Sequence, residues 1–150
     1  MRFTGTIDAK TDEKGRVFVP SIFRKVLRDA GEDALVLRRD IFENCLVLFP
    51  KRVWDAHVDE VRARTNFFDR EQRQALRLFT ADAENITLDS GGRMLIPRRY
   101  MEHAGIKNEV RFIGIDDKIE IWSKDEGEDL LVKAAEAGNV LGKLMRDPVF

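Results

Sequence analysis

A nine-residue pattern occurs twice in this chain, and it constrains the fold more than any other feature of the sequence. Asp12-Glu13-Lys14-Gly15-Arg16-Val17-Phe18-Val19-Pro20 returns 77 positions later as Asp89-Ser90-Gly91-Gly92-Arg93-Met94-Leu95-Ile96-Pro97. Asp, Gly, Arg and Pro coincide, and three apolar residues precede each proline. The likeness continues beyond the proline. Phe23 aligns with Tyr100, and the stretches that follow end in Ala30-Gly31 and Ala104-Gly105. The chain is therefore read as two copies of one supersecondary unit.

Each position of the pattern has a physical meaning. Asp-x-x-Gly predicts a type I turn, with Asp12 or Asp89 capping its start and Gly15 or Gly92 accepting a positive φ. Such a turn joins two antiparallel strands, and Arg16 and Arg93 leave its tip. The apolar triplet does not alternate, so the strand is expected to be covered on both faces. Proline then closes the strand and opens a helix. In the first copy Ile22, Phe23, Val26, Leu27 and Ala30 form an apolar helix face, with Arg24, Lys25 and Arg28 elsewhere. Tyr100, Met101 and Ala104 do the same in the second copy.

Two further strands follow in each copy, at 34–38 and 45–49 and at 110–115 and 118–122. Glu120 between Ile119 and Ile121 gives the last of these the alternation of an edge strand. The resulting β-β-α-β-β unit, about 50 residues long, is small for an independent core, so two copies or two chains should interlock. The expected organisation is a first unit at 1–50, connecting helices at 51–80, a second unit at 81–124 and a C-terminal helix at 125–150. In the connector, Trp54, Val58 and Val61 recur at helical spacing. Asn66-Phe67-Phe68 breaks the run, Asp69 caps a second helix, and Leu76 and Phe79 face inward. The last helix, at 125–145, carries a heptad-like stripe of Leu130, Ala134, Ala137, Leu141 and Leu144. That stripe and the Phe67-Phe68 pair are read as core or subunit contacts.

The formal net charge of −1 hides an uneven distribution. The first 100 residues hold 19 Lys and Arg against 16 Asp and Glu, and the last 50 hold 7 against 11. Local field governs attraction to phosphates, so the segment carrying Lys10, Lys14, Arg16, Arg24, Lys25 and Arg28 is the candidate contact surface. Met1-Arg2-Phe3-Thr4-Gly5 has no apolar signal core, and no run approaches the roughly 20 apolar residues of a membrane helix. Cys45 is the single cysteine, read as a buried thiol. These features lead to the expectation of a cytoplasmic protein without a membrane partner.

Enzyme chemistry finds no support. Gly91-Gly92 lacks the lysine spacing and the Ser or Thr of a phosphate-binding loop. His57 and His103 lack companions at metal-ligand spacing, and Ser21, Ser90 and Ser123 lack a nucleophile context. No catalytic residue, metal, cofactor or small-molecule substrate is expected.

The paired Asp-x-x-x-Arg segments, Asp12 to Arg16 and Asp89 to Arg93, resemble the SpoVT/AbrB swapped-hairpin DNA-binding unit. Two of them in a chain of this length, with helices between and after, resemble the MraZ family, and the likeness spans nearly the whole chain. The resemblance implies an α+β fold of two tandem β-β-α-β-β units in a swapped-hairpin barrel, with connecting and C-terminal helices. It also implies a nucleoid-associated, sequence-specific transcriptional regulator at the promoter of the division and cell-wall gene cluster. Its partners would be double-stranded promoter DNA, read as short direct repeats, and further copies of itself in a closed ring.

Carried over by position, the DNA contacts are Lys10, Lys14 and Arg16 on the first hairpin, Arg24 and Lys25 on its helix, and Arg93 in the second copy. Asp12, Gly15, Asp89 and Gly92 form the turns. The second copy departs from the pattern, since Gly91 replaces the lysine and Met101 stands where Arg24 stands. Arg98-Arg99 offers nearby cations instead. Two readings of the arginines stay open at this point: each reaches into DNA, or each folds back on its aspartate and locks the turn. The alternative function is an oligomeric protein-interaction module of the same fold that binds no DNA.

Overall fold

The computed structural model describes residues 1–132 and 134–146. The first copy forms β1 (Thr6–Lys10), β2 (Arg16–Phe18), α1 (Ser21–Asp29), β3 (Leu35–Arg39) and β4 (Leu46–Pro50). The connector forms α2 (Lys51–Arg64) and α3 (Arg70–Ala81). The second copy forms β5 (Glu84–Ile86), β6 (Arg93–Leu95), α4 (Arg98–His103), β7 (Glu109–Ile115) and β8 (Lys118–Ser123), and α5 (Lys124–Val132) and α6 (Ala134–Leu144) follow. The fold is α+β, with all strand pairings antiparallel.

The copies exchange strands. In the six-stranded sheet the order is β1-β7-β8-β4-β3-β5, and β2 and β6 form a separate two-stranded ribbon. Thus β1 of the first copy pairs with β7 of the second, from Thr6 opposite Ile113 to Lys10 opposite Glu109. Reciprocally, β5 pairs with β3. The strands on either side of each Asp-x-x-Gly turn consequently diverge into different sheets instead of pairing with each other. Interlocking is what small units require: one buried cluster draws Phe3, Val17, Phe23 and Leu27 from the first copy and Met94, Ile96, Tyr100 and Phe112 from the second. Phe3 meets Phe23 edge-on at 5.7 Å.

The connector is fastened to the sheet. Val36, Val47, Phe49 and Trp54 form a second buried cluster, with Val58 and Phe79 against it. Trp54 stacks on Phe79 at 5.0 Å between centroids, and Asp69 caps α3 by accepting from the Gln72 amide. No helix among the described residues is long and apolar enough to cross a membrane.

Several expectations are corrected. Strand β8 lies between β7 and β4 and is no edge; Glu120 alternates with apolar neighbours because its carboxylate accepts from the Trp122 indole. The triplets of β2 and β6 are covered on one face only, leaving Phe18 and Leu95 about half exposed. Ile22 is exposed rather than part of the buried face of α1. Phe68 is fully exposed within this chain, so of the two roles read for it, core or subunit contact, the core is excluded. The C-terminal helix is described as α5 and α6, with position 133 and residues 147–150 outside the described residues. Of its stripe, Leu130 is half-buried, Ala137, Leu141 and Leu144 are exposed, and the Ala134 side chain lies outside the described residues.

Candidate nucleic-acid interface

Each turn is built around its aspartate. Asp12 Oδ1 accepts from the amides of Lys14 and Arg16, both at 2.9 Å, and its Oδ2 accepts from Arg16 Nε at 2.7 Å. Asp89 repeats this with Gly91 at 3.0 Å, Arg93 at 2.9 Å and Arg93 Nε at 2.8 Å. Gly15 and Gly92 close the turns at φ +87° and +88°, where a side chain is strained. The amide of Arg16 foremost, and then its guanidinium, hold the Asp12 carboxyl below the usual range, and Arg93 does the same for Asp89. Both carboxylates are therefore charged at neutral pH.

The two arginines share one face. In the ribbon, Arg16 stands opposite Leu95, Val17 opposite Met94 and Phe18 opposite Arg93. Val17 and Met94 point into the core, so the outer face presents Arg16, Phe18, Arg93 and Leu95. The arginine side chains are 38% and 35% exposed, and the Arg93 guanidinium lies 5.7 Å from the centre of the Phe18 ring. Because each aspartate engages Nε, the terminal nitrogens are left without a protein hydrogen bond among the described residues. The turn lock fixes each guanidinium and leaves its outer edge open, so the two readings of the arginines are compatible.

The strand exchange also decides what flanks each turn. Arg24 of α1 donates from Nε to the Val19 carbonyl at 2.9 Å and lies against Gly92 of the second turn. Met101 of α4 lies against Gly15 of the first turn. Each turn is thus braced by the other copy's helix. A cleft of about 570 Å³ beside the second turn is lined by Arg24 and Arg28 and by the carboxylates of Glu32, Asp33 and Asp89. Another of about 820 Å³ beside the first is lined by Lys14, Arg98 and Lys107 and, in equal number, by Asp12, Glu13 and Glu102. Arg99 is engaged elsewhere, with Glu84 at 2.6 Å and over the Tyr100 ring. Lys10 is exposed at the end of β1, and Lys25 pairs with Asp29 at 2.8 Å.

Phe18, Leu95 and Lys107 escaped the sequence reading. For the first two the available signal was the period-2 geometry of a strand, which an all-apolar triplet conceals. Lys107 reaches the first turn only through the strand exchange.

One set of ligand-type atoms lies close together among the described residues, those of Asp40, Cys45 and Glu120, within 4.8 Å of one another. They have other duties. Asp40 accepts from the amides of Phe42 and Glu43 in the β3–β4 turn, Glu120 holds Trp122, and burial pushes the Cys45 thiol and the Glu120 carboxyl toward their neutral forms.

Comparison with known proteins matches this two-copy architecture. The family model described as "MraZ protein, putative antitoxin-like" matches twice, over residues 2–78 and 79–140. The chain belongs to the MraZ family. A relative named transcriptional regulator MraZ from Bacteroides fragilis is 46% identical over 147 residues, covering 98% of this chain and 93% of that protein. One of the same name from Bacteroides thetaiotaomicron is 44% identical, covering 98% and 94%. Another from Lachnoclostridium phytofermentans is 36% identical, covering 84% of each. The MraZ family is one of transcriptional regulators, not enzymes.

Proposed function

We propose that the chain is a sequence-specific DNA-binding transcriptional regulator that sets the β2–β6 ribbon into the major groove of duplex promoter DNA. The observation carrying this reading is the pair of aspartate-anchored arginines, Arg16 and Arg93, on the exposed face of one ribbon. A two-stranded ribbon fits the major groove, and arginine's planar fork can hold guanine O6 and N7 together. A good bidentate contact discriminates by about 1–3 kcal/mol, whereas exposed ion pairs are weak, so the anchoring aspartates do not outcompete DNA. Lys10, Lys14 and Lys25, with Arg28 and Arg98 on the cleft rims, suit phosphates, which position a protein without specifying sequence. Arg24 braces the ribbon end and adds its charge to the same cleft.

The name shared by the relatives supports regulation of transcription. Our reading goes further: the chain acts in the cytoplasm at the nucleoid, on the promoter of the division and cell-wall gene cluster, as a closed ring reading direct repeats. Residues 1–50 and 81–124 build one reading unit together, with 51–80 as its connector and 125–150 following. Phe67, Phe68, Leu141 and Leu144, read from the sequence as core or subunit contacts, are exposed within this chain and free to pack against another copy. Repeated units in register with repeated sites raise avidity by roughly 10²–10⁴.

The test is titration of the full-length protein against the DNA just upstream of its own gene, and against arrays of one, two and three repeats. Affinity rises with repeat number and falls with salt, and Arg16→Ala abolishes binding while fold and assembly persist. A wild-type protein with no salt-sensitive binding overturns the DNA reading in favour of a protein-interaction module. Affinity that does not rise with repeat number overturns the ring.

A further inference from the structure

Phe18 and Leu95 are 54% and 53% exposed on the outer face of the ribbon, one at each end of its paired segment and each directly opposite one of the two arginines. The core does not need them, because Val17, Val19, Met94 and Ile96 supply it from the other face. Two large apolar side chains interleaved with two guanidinium groups match a partner that is polyanionic but carries apolar points within a charged surface.

We propose that Phe18 and Leu95 read thymine, packing against the C5-methyl groups in the major groove while Arg16 and Arg93 take neighbouring guanine edges. This rests on the DNA reading above. The thymine methyl is the distinctive apolar group of the major-groove code, and contact with an apolar side chain recognises it. Along one strand an arginine and its apolar neighbour are two residues apart, about 6.6 Å, and across the ribbon facing residues are about 5 Å apart. Base pairs stack at about 3.4 Å, so an arginine and its apolar partner fall on base pairs one or two steps apart.

The second turn leaves the Phe18 ring open. A Cβ on Gly91 would lie 3.6 Å from Phe18 Cε1, so a longer side chain there would lie against the ring edge. Gly91, which stands where the first copy has Lys14, leaves that edge uncovered. Arg93, 5.7 Å from the ring centre, orients the aromatic side chain.

The experiment compares two versions of the DNA upstream of the protein's own gene, one amplified with dTTP and one with dUTP, which differ only in the thymine methyls. The full-length protein binds the deoxyuridine duplex more weakly, by about fourfold for each methyl that loses its contact. The double variant Phe18→Ala/Leu95→Ala binds both duplexes alike. Equal wild-type affinity for the two duplexes overturns the inference, and this comparison needs no variant to fold. A double variant that keeps the wild-type ratio also overturns it, because the methyls would then act through DNA shape. Binding to neither duplex overturns the DNA reading itself, which separates the two failures.

Discussion

Arg24 lies so close to Gly92 that a Cβ on the glycine would sit 2.6 Å from Arg24 Nη1, although the two residues belong to different copies of the repeat. Met101 and Gly15 form the reciprocal contact, where a Cβ on the glycine would come 2.9 Å from the Ile96 carbonyl oxygen and 3.2 Å from Met101 Sδ. Both glycines hold a positive φ near +88°, so alanine at either position is strained.

The obstacles differ, which makes the substitutions unequal. At Gly92 the nearest atoms belong to the end of a flexible side chain that can swing away. Gly92→Ala should therefore cost about 1–2 kcal/mol for the backbone and about 1 kcal/mol more for the Arg24–Val19 hydrogen bond that the swing gives up. At Gly15 the nearest atom is a backbone oxygen, so Gly15→Ala should cost clearly more. Urea denaturation of the two variants checks this, and equal losses would contradict the asymmetry.

Acid should weaken the turns before it weakens the core. The carboxyls of Asp12 and Asp89 are lowered in the folded chain, foremost by the amides of Arg16 and Arg93, and that of Asp8 foremost by hydrogen bonding to Arg111. A carboxyl lowered by folding contributes stability above its unfolded value of 3.8, and that contribution disappears as pH falls through the lower folded value. Glu120 runs the other way. Burial raises its pKa above 4.5, so its charge opposes folding as pH rises. Glu120→Gln, which keeps an acceptor for Trp122, should raise the denaturation midpoint at pH 7 and leave it unchanged at pH 4. A midpoint that falls at pH 7 would mean that the charge is compensated.

The repeat, the turns and the helices could all be read from the sequence, because Asp12, Gly15, Arg16 and Pro20 act through local backbone chemistry. The strand exchange could not be assigned to one chain or two. Hydrophobic patterning says that β1 and β5 need partners but not whose, and pairing is decided by packing of residues about 100 positions apart, such as Ile7 opposite Phe112. The same gap hid the site's details. Arg24 looks like a free surface cation until α1 is placed over the other copy's turn. Phe18 looks like core because three apolar residues in a row conceal which one points outward. Glu120 imitates an edge-strand residue because its partner, Trp122, is two residues away on the same strand.

The connector should prove integral to the sheet. Trp54 is 8% exposed and wedged between Phe49, at 5.5 Å, and Phe79, at 5.0 Å. Trp54→Ala should cost about 3–5 kcal/mol and increase amide exchange throughout α2 and α3 and in β3 and β4, whose Val36, Val47 and Phe49 pack with Trp54. A loss confined to those helices, with the sheet's exchange unchanged, would make the connector a separate folding unit.

The first turn carries a lysine that the second lacks, and adding it back is a direct test of what the tips do. Lys14 is exposed at the first tip, and Gly91 takes its place at the second. Gly91 does not hold a positive φ, and its nearest neighbours, Asp89 Oδ1 at 3.5 Å and Phe18 Cε1 at 3.6 Å, leave ordinary room for a Cβ. Gly91→Lys should fold normally. If the tips meet phosphates, Lys14→Ala makes the slope of log K against log salt shallower by about 0.9 per DNA-bound ribbon, and Gly91→Lys makes it steeper by the same amount. The added lysine also crowds Phe18, so Gly91→Lys should gain affinity at low salt while losing part of its preference for thymine-bearing DNA. Steeper salt dependence with unchanged sequence preference would separate the phosphate contact from the Phe18 contact.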